Sequence, residues 1–326
     1  MTSISRRTAL GAGLALSTAA WLPAHAQAWP SRPIKLVVPF PPGGGTDLAG
    51  RIVAERLAVK LNQPVVIENR PGGSTAIGVM AVSAAEADGY TLLFSGSTSY
   101  TVNPAIRRTL SYDPFKQLTP VSLVVRAPLV LVTAADGPIK TVKDLAARAR
   151  AKPGSVTYTT FGAGTAPHLA GEMLAQATGT KLMPVPYKGS AEANIGVIRG
   201  DVDTGIDTLA SVNPHLQSGK LRVLAVISEK RSSLLPNIPA YGELGLSAAM
   251  LDAWYALAAP AGLPNQVRDR LAMAVAEVMS ETEVRRKLQA QFMDAALLGP
   301  QGLREVMDSE ITRYRALVAR GGLALD

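Results

Sequence analysis

Short apolar strands alternate along this 326-residue chain with segments whose apolar residues recur at the spacing of an α-helix. The β-branched run at 34–38 predicts a buried strand, and the apolar positions between 48 and 61 predict the helix that follows it. A strand at 65–67, a helix over 75–85 and a strand at 90–94 continue this order. The β-α-β-α-β succession predicts a parallel sheet with helices on both faces.

The same alternation starts again in the middle of the chain. Helices are predicted over 141–152, 166–178, 265–280 and 300–320, with a further helix ending at 199, and strands over 156–160, 183–186, 202–206 and 221–227. Two such series predict an α/β protein of two lobes, each built on a doubly wound mixed sheet.

Two apolar stretches, 121–132 and 254–259, are long enough to run from one lobe to the other. We therefore expect residues 27–126 and 253–326 to form lobe 1 and residues 127–252 to form lobe 2. In this arrangement the two C-terminal helices pack on lobe 1, and both crossings act as hinges.

Several predicted strands run into loops rich in glycine and hydroxyl side chains, such as 39–47 and 161–165. Doubly wound sheets bind ligands at the carboxyl ends of their strands, and the unpaired N–H groups at a helix start favour an anion. Backbone N–H groups at 43–45 and 162–165 therefore predict an anion site shared by the two lobes. The hydroxyl groups expected to assist them belong to Thr46, Ser97, Thr98 and Thr165.

Neither glycine loop has the sequence of a nucleotide site. Neither continues as Gly-Lys-Ser or Gly-Lys-Thr, and Gly162-Ala163-Gly164 lacks the third glycine of a dinucleotide loop. The Gly-x-Ser-x-Gly motif of esterases is also missing from the sequence. We therefore expect a carboxylate ligand, no cofactor and no catalytic residue, with an exported α/β hydrolase or esterase using Ser97 and His168 as the competing interpretation.

Residues 1–26 have the composition of an export signal. Arg6 and Arg7 precede a short run of small apolar residues, and small side chains suit cleavage after residue 26 or 28. The arginine pair resembles a twin-arginine signal, while a Sec signal remains open. We therefore expect the mature chain in the periplasm.

Charge and composition argue against several kinds of partner and site. The formal net charge is +8, but the cationic residues are scattered and aromatic residues make up 5%, so we expect no nucleic-acid partner. The sequence has no cysteine, which excludes disulfides and thiol chemistry. His168 and Glu172 have no third ligand at metal-binding spacing, so we expect no metal site.

An ordered series of short motifs covers nearly all of the mature chain. They are Trp29-Pro30-Ser31-Arg32-Pro33-Ile34, Pro39-Phe40-Pro41-Pro42-Gly43-Gly44-Gly45-Thr46-Asp47, Glu68-Asn69-Arg70-Pro71-Gly72, Asp88-Gly89-Tyr90-Thr91-Leu92-Leu93, Asn103-Pro104, Tyr187-Lys188-Gly189 and Gly219-Lys220-Leu221-Arg222. With this series the chain resembles the periplasmic solute-binding receptors of tripartite tricarboxylate transporters, the Bug family. The resemblance implies a two-lobed periplasmic-binding-protein fold of the Venus-flytrap type, a small carboxylated ligand and membrane subunits as partners. We expect a monomer.

The resemblance also implies site residues. Two loops of the family pinch one carboxylate of the ligand, and the matching residues here are Pro42, Gly43, Gly44, Ala163, Gly164 and Thr165. Contacts to the rest of the ligand are expected from Phe40, Ser74, Asn103, His168, Lys188, Gly189 and Asp207. The carboxylate of Asp207 can accept a hydrogen bond from an amine or a hydroxyl group.

The chain departs from the usual family pattern in two places. Gly73-Ser74-Thr75 adds hydroxyl groups near the expected cleft, and Arg107 and Arg108 stand where many relatives have aromatic or small residues. The first difference concerns the contacts to the distal end of the ligand, whereas the sequence does not say whether the two arginines reach the ligand.

Overall fold

The computed structural model describes residues 29–321, so the predicted export signal at 1–26 lies outside the described residues. The strands are β1 (Ile34–Val38), β2 (Val65–Asn69), β3 (Thr91–Gly96), β4 (Leu118–Arg126), β5 (Leu129–Ala134), β6 (Val156–Thr160), β7 (Leu182–Pro186), β8 (Thr204–Thr208), β9 (Leu221–Val226), β10 (Trp254–Pro260) and β11 (Asp294–Leu298).

The α-helices alternate with these strands. They are α1 (Gly45–Leu61), α2 (Ala76–Ser83), α3 (Asn103–Ile106), α4 (Pro114–Gln117), α5 (Val142–Ala151), α6 (Ala166–Thr178), α7 (Ser190–Arg199), α8 (Leu209–Gln217), α9 (Asn265–Ser280), α10 (Thr282–Ala290) and α11 (Pro300–Gly321). A π-helical turn spans Thr98–Val102, and 3-10 turns span Gly73–Thr75, Gly242–Leu244 and Ser247–Ala249. Within residues 29–321, no helix is both long and apolar enough to cross a membrane.

The described strands form two mixed sheets, as predicted. One has the order β11-β4-β10-β3-β1-β2 and the other the order β7-β6-β8-β5-β9. In the first sheet β1 runs parallel to β2 and β3, and β10 runs antiparallel to β3 and β4. In the second sheet β6 runs parallel to β7 and β8, and β5 runs antiparallel to β8 and β9. The result is a two-lobed α/β fold with one sheet in each lobe.

The chain passes between the two sheets after β4 and again before β10. The apolar stretch 121–132 contains two strands rather than one, because Pro128 separates β4 from β5 and has no backbone N–H to donate to a strand ladder. The two crossings lie side by side, since the Ala127 N–H donates to the Ala253 carbonyl at 2.9 Å. The predicted lobe bounds at 126/127 and 252/253 fall at these crossings and remain a prediction.

The long C-terminal helix packs on more than the first sheet. Near its start, Leu303 and Met307 are buried in one apolar cluster with Leu123 of β4, as expected for packing on lobe 1. Towards its end Tyr314 joins a second cluster that includes residues of the five-stranded sheet, and Arg313 donates to the Met250 carbonyl. Helix α11 therefore braces the second crossing.

Two elements near the C-terminus, α10 and β11, were not predicted from the sequence. Helix α10 has nine residues and buries only Val284 and Leu288, so it offers two apolar positions for periodicity to detect. Strand β11 lies at the edge of the first sheet and is partly exposed along its length. A short, mostly polar helix and a partly exposed edge strand give too few apolar positions to be identified from periodicity.

A half-buried carboxyl group of α11 supports the strand that lines the cleft. Glu310 Oε1 accepts from the Trp254 indole N–H at 2.8 Å, and Glu310 Oε2 lies 2.8 Å from the Thr101 hydroxyl oxygen. The same Thr101 oxygen lies 3.0 Å from the Ser97 carbonyl, and its single proton can serve one of these two acceptors. Burial raises the pKa of Glu310 to about 7. Below that pH the protonated carboxyl can donate to Thr101 while the Thr101 hydroxyl donates to Ser97, and above it the Thr101 hydroxyl donates to the carboxylate.

We expect Glu310→Gln to be nearly neutral at pH 5 and stabilising at pH 8. The carboxyl has a pKa of about 7 against an ordinary value of 4.5, so its contribution to stability is present below pH 4.5 and is lost as the pH rises through 7. The loss amounts to at most roughly 3 kcal/mol, and the glutamine amide avoids it by donating to Thr101 at every pH. Melting temperatures between pH 5 and pH 8 test this, with exposed Glu305→Gln as the control. Parallel pH profiles for Glu310→Gln and the wild type would contradict it.

Candidate functional site

The cleft between the two sheets encloses a small cavity. It lies outside the carboxyl ends of β1 and β3 on one side and of β6, β7 and β8 on the other. Its lining consists of Phe40, Pro41, Gly44, Gly45, Thr46, Gly96, Ser97, Thr98, Leu129, Phe161, Ala166, Pro167, Gly189, Ser190, Asp207, Thr208, Ala253, Trp254 and Tyr255. The centre of a water molecule can occupy about 60 Å³ of it, which is room for roughly four to six water-sized groups.

Within residues 29–321, four helices of eight or more residues begin at this cavity. They start at Gly45, Ala166, Ser190 and Leu209, in both halves of the molecule. The N-terminus of a helix carries a partial positive charge and backbone N–H groups without intrahelical acceptors. The described lining contains no lysine, arginine or histidine, so the positive potential in the cavity comes from the backbone.

Two of these helices are hydrogen-bonded to the opposite side of the cleft. The Gly45 N–H donates to Ser211 Oγ at 3.0 Å, and the Ala166 N–H donates to Thr98 Oγ1 at 3.0 Å. Each hydroxyl takes the place of an acceptor that the helix start lacks. These bonds join the two halves of the molecule, and the structure is therefore a closed one.

A second set of contacts closes the rim of the cleft. The Ala163 carbonyl accepts from Ser74 Oγ at 2.8 Å and from Arg107 Nη2 at 2.6 Å. Arg107 is held by Asn103, whose Oδ1 accepts from Arg107 Nε at 3.2 Å. Phe40 and Phe161 meet edge to face beside this rim, with ring centroids 6.5 Å apart. Arg107 thus joins the two halves of the molecule.

The first glycine loop is shaped by the side chain of Asp47. The N-cap residue of α1 is Gly44, and neither Thr46 nor Asp47 occupies that position. Asp47 Oδ2 accepts from the Gly43 N–H at 3.0 Å and from Arg51 Nε at 2.9 Å. Although burial opposes the shift, these hydrogen bonds hold the pKa of Asp47 below its usual range. The carboxylate is therefore committed to the loop and is not available to a ligand.

Asp207 is placed differently. It is 5% exposed and lines the cavity from β8. Its Oδ1 accepts from the Thr208 N–H at 2.7 Å, while Oδ2 has no hydrogen-bond partner among the described residues. Burial raises the pKa of Asp207 to about 6, and the nearby hydroxyls of Ser190 and Ser211 offset part of that rise without reaching hydrogen-bond geometry to Oδ2.

Comparison with known proteins places this architecture in a family. Residues 49–323 match the model of the tripartite tricarboxylate transporter family receptor. The chain belongs to this family. Protein BugT of Bordetella pertussis is 35% identical over 304 residues, which cover 93% of this chain and 93% of that protein.

Solved structures of the same architecture agree. Rpa4515 of R. palustris with adipate has a TM-score of 0.85 and 33% identity, covering 91% of this chain and 99% of that one. MatC (Rpa3494) from Rhodopseudomonas palustris with bound malate has a TM-score of 0.84 and 27% identity, covering 89% of this chain and 100% of that one. The chain therefore belongs to a family of solute-binding receptors.

The predicted site residues fall into three groups in this receptor. Those that line the cavity are Phe40, Gly44, Thr46, Ser97, Thr98, Gly189 and Asp207. Those at the rim or directly behind the lining are Ser74, Asn103, Ala163, Gly164, Thr165 and His168. Pro42, Gly43 and Lys188 are exposed and lie outside the cavity. Ligand contact by any of them remains a prediction.

His168 and Thr165 shape the second glycine loop from behind. His168 Nδ1 accepts from the Gly164 N–H at 3.3 Å, which assigns its ring proton to Nε2, and burial lowers the pKa of His168. Thr165 Oγ1 donates to the Gly162 carbonyl at 2.7 Å. Both side chains therefore act within the loop.

Sequence reasoning missed several lining residues. Ser190 and Thr208 directly follow the predicted site residues Gly189 and Asp207, so their position in the sequence could have identified them. Trp254 and Tyr255 gave no such signal, because they reach the cavity through the pairing of β10 with β3, where Tyr255 lies opposite Gly96. Arg108 lies away from the cavity, in a separate depression beside α11.

We expect Gly164→Ala to open the cleft. A Cβ atom at Gly164 would lie 2.6 Å from Asn103 Oδ1 and 3.0 Å from Arg107 Nε, so alanine displaces these two side chains and weakens the contacts of Arg107 that close the rim. The measurement is the radius of gyration by small-angle X-ray scattering, which should increase relative to the wild type.

Gly200→Ala is the matched control for this variant. Gly200 has a similar positive φ of 77°, against 85° at Gly164, but nothing lies within 4 Å of its added Cβ. Both variants place an alanine in the strained left-handed conformation, and only the Cβ atom in Gly164→Ala clashes with residues on the opposite side of the rim. Equal radii of gyration for the two variants would show that the rim contacts do not hold the cleft closed.

Proposed function

We propose that this chain is an extracytoplasmic receptor that binds a small carboxylate-bearing molecule in the cleft. It closes on this ligand and presents it to the membrane subunits of a tripartite tricarboxylate-type transporter. One observation carries the proposal, namely that four helix N-termini from two lobes meet at one cavity lined by no cationic side chain. Such a site attracts an anion through neutral donors.

The start of α1 has backbone donors available to a carboxylate. The N–H groups of Gly44 and Thr46 at the start of α1 have no acceptor among residues 29–321. A carboxylate accepts several such bonds at once, and charge-assisted bonds are stronger than neutral ones. Because no salt bridge holds the anion, opening the cleft exposes every donor to water and releases the ligand.

The bound molecules of related receptors support this ligand class. The two R. palustris structures hold adipate and malate, which are both small carboxylic acids. The predicted export signal supports a periplasmic location, where a transporter receptor meets its ligand. We also propose that residues 27–126 and 253–326 move as one lobe and residues 127–252 as the other, hinged at the two adjacent crossings.

Thermal unfolding with matched ligands tests the proposal. The protein, unfolded and refolded to remove bound ligand, is heated with a panel of mono- and dicarboxylic acids, amino acids and the corresponding neutral amides. A binder at a hundred times its Kd should add about 2.7 kcal/mol to the free energy of unfolding, and the melting temperature rises accordingly. We expect stabilisation by at least one acid and none by its amide. Stabilisation by the amides alone, or by no member of a broad panel, would contradict the carboxylate site.

The competing interpretation, an exported α/β hydrolase, makes a different prediction. Within residues 29–321 no serine hydroxyl is hydrogen-bonded to a histidine ring, and His168 Nδ1 accepts from a backbone N–H instead. We expect no turnover of p-nitrophenyl acetate and recovery of the bound acid unchanged. Turnover that disappears in Ser97→Ala would favour the hydrolase.

Delivery to membrane subunits is tested in cells. Deleting the gene should abolish uptake of the labelled acid that stabilises the protein, and the wild-type gene should restore it. Gly164→Ala, which keeps the cleft open, should not restore uptake, whereas Gly200→Ala should. Uptake that does not change on deletion would contradict the transport role.

A further inference from the structure

The charged side chains that line the cavity indicate what the ligand carries besides a carboxylate. Among the described residues that line the cavity, Asp207 is the only one with a formal charge. The rim cation Arg107 is already bonded to the Ala163 carbonyl, and Lys188 is exposed outside the cavity. A ligand in the closed cleft therefore meets positive helix ends and one negative side chain.

The free oxygen of Asp207 marks a second contact point. Oδ1 is occupied by the Thr208 N–H, but Oδ2 has no partner although the residue is 5% exposed. Two of the neighbouring hydroxyls are engaged elsewhere, since Thr208 Oγ1 and Ser211 Oγ bond each other at 2.9 Å and Ser211 Oγ also accepts from Gly45. The Ser190 hydroxyl lies near Asp207 but forms no hydrogen bond to Oδ2. A buried carboxylate oxygen without a partner is costly, so a donor from the ligand at this point increases affinity.

Ammonium satisfies this oxygen better than other common groups. With a pKa of about 6, Asp207 is mainly ionised at pH 7.5. A hydroxyl group supplies the missing hydrogen bond but leaves a buried negative charge uncompensated. A second carboxylate on the ligand supplies no donor and places two negative charges together. An ammonium group supplies both the donor and the opposite charge.

We propose that the ligand carries an ammonium group that binds Asp207 Oδ2 while its carboxylate is held by the helix N-termini, so the receptor prefers zwitterionic amino acids over dicarboxylates. This inference rests on the proposed function, because it assigns the second half of the same site. It also separates this chain from its relatives with adipate and malate, whose ligands carry two carboxylates and no ammonium.

A series of four-carbon ligands isolates the group in question. Butyrate, 2-hydroxybutyrate, L-2-aminobutyrate, 4-aminobutyrate and succinate share a chain length and one carboxylate and differ in the second group. The two amino acids offer the ammonium at two distances from the carboxylate. Isothermal titration calorimetry at pH 7.5 on the wild-type protein should show one of them binding at least about tenfold more tightly than butyrate and succinate, as expected for a bond to a buried charge. Succinate binding as tightly as the better amino acid, or more tightly, would overturn the proposal.

Asp207→Asn tests the residue itself. The variant keeps the size of the side chain and removes its charge, so the preferred amino acid should lose at least about tenfold in affinity while butyrate and succinate do not weaken. Asp201→Asn, at an exposed aspartate outside the cavity, is the matched control and should retain the wild-type order. Equal weakening of all five ligands in Asp207→Asn would assign Asp207 a structural role and overturn the proposal.

The two proposals fail in distinguishable ways. If no acid in the broad panel binds, the carboxylate receptor itself is wrong. If acids bind but dicarboxylates lead, the receptor stands and only the role of Asp207 is wrong. The ranking on the wild-type protein needs no variant, so an Asp207→Asn protein that does not fold leaves the inference open to refutation.

Discussion

The unpaired backbone at the start of each helix is the constraint on which this receptor depends. Parallel strands bring the following helices to one edge of the sheet, and each helix begins with N–H groups that have no acceptor within the helix. In a cleft with little water these groups require partners. Here two of them, on Gly45 and Ala166, find hydroxyl groups of the opposite lobe. The bonds that hold the lobes together therefore come from the same helix ends to which we assign the anion site.

Closure and recognition consequently use one set of contacts. The close approach of the two lobes leaves no space for a side chain at Gly45, where a Cβ would lie 2.6 Å from both Thr208 Oγ1 and the Tyr255 hydroxyl oxygen. Trp254, beside Tyr255, is fixed from behind by Glu310 of the C-terminal helix. The side of the site formed by β10 is thus supported from behind, while the helices that begin at Ala166, Ser190 and Leu209 belong to the other lobe. A ligand that bonds both sides shifts the balance towards the closed state by its difference in affinity for the two states.

The sequence was sufficient for the fold because core-facing elements have strong patterns. β1, β6, α6 and α9 lie exactly where periodicity predicted them. The polar helix α10 and the edge strand β11 were missed because few of their residues are fully buried. In the site, glycine loops and strand ends led to seven lining residues. Arg107 remained without a role, because its partner Ala163 is 56 positions away and only the closed tertiary structure brings them together.

Anchoring through the backbone also explains how one fold can serve many acids. The backbone N–H groups at the helix starts persist whatever the side chains are, so the hold on one carboxylate survives most substitutions in the cavity. Discrimination then falls to the few side chains with an unused polar atom, and in this chain that atom is Oδ2 of Asp207. A single buried charge discriminates well between ligands. A ligand that leaves the desolvated charge unpaired loses more binding free energy than a matched ligand gains. If Asp207 binds the ligand as we propose, specificity comes mainly from rejecting ligands that leave its Oδ2 without a partner.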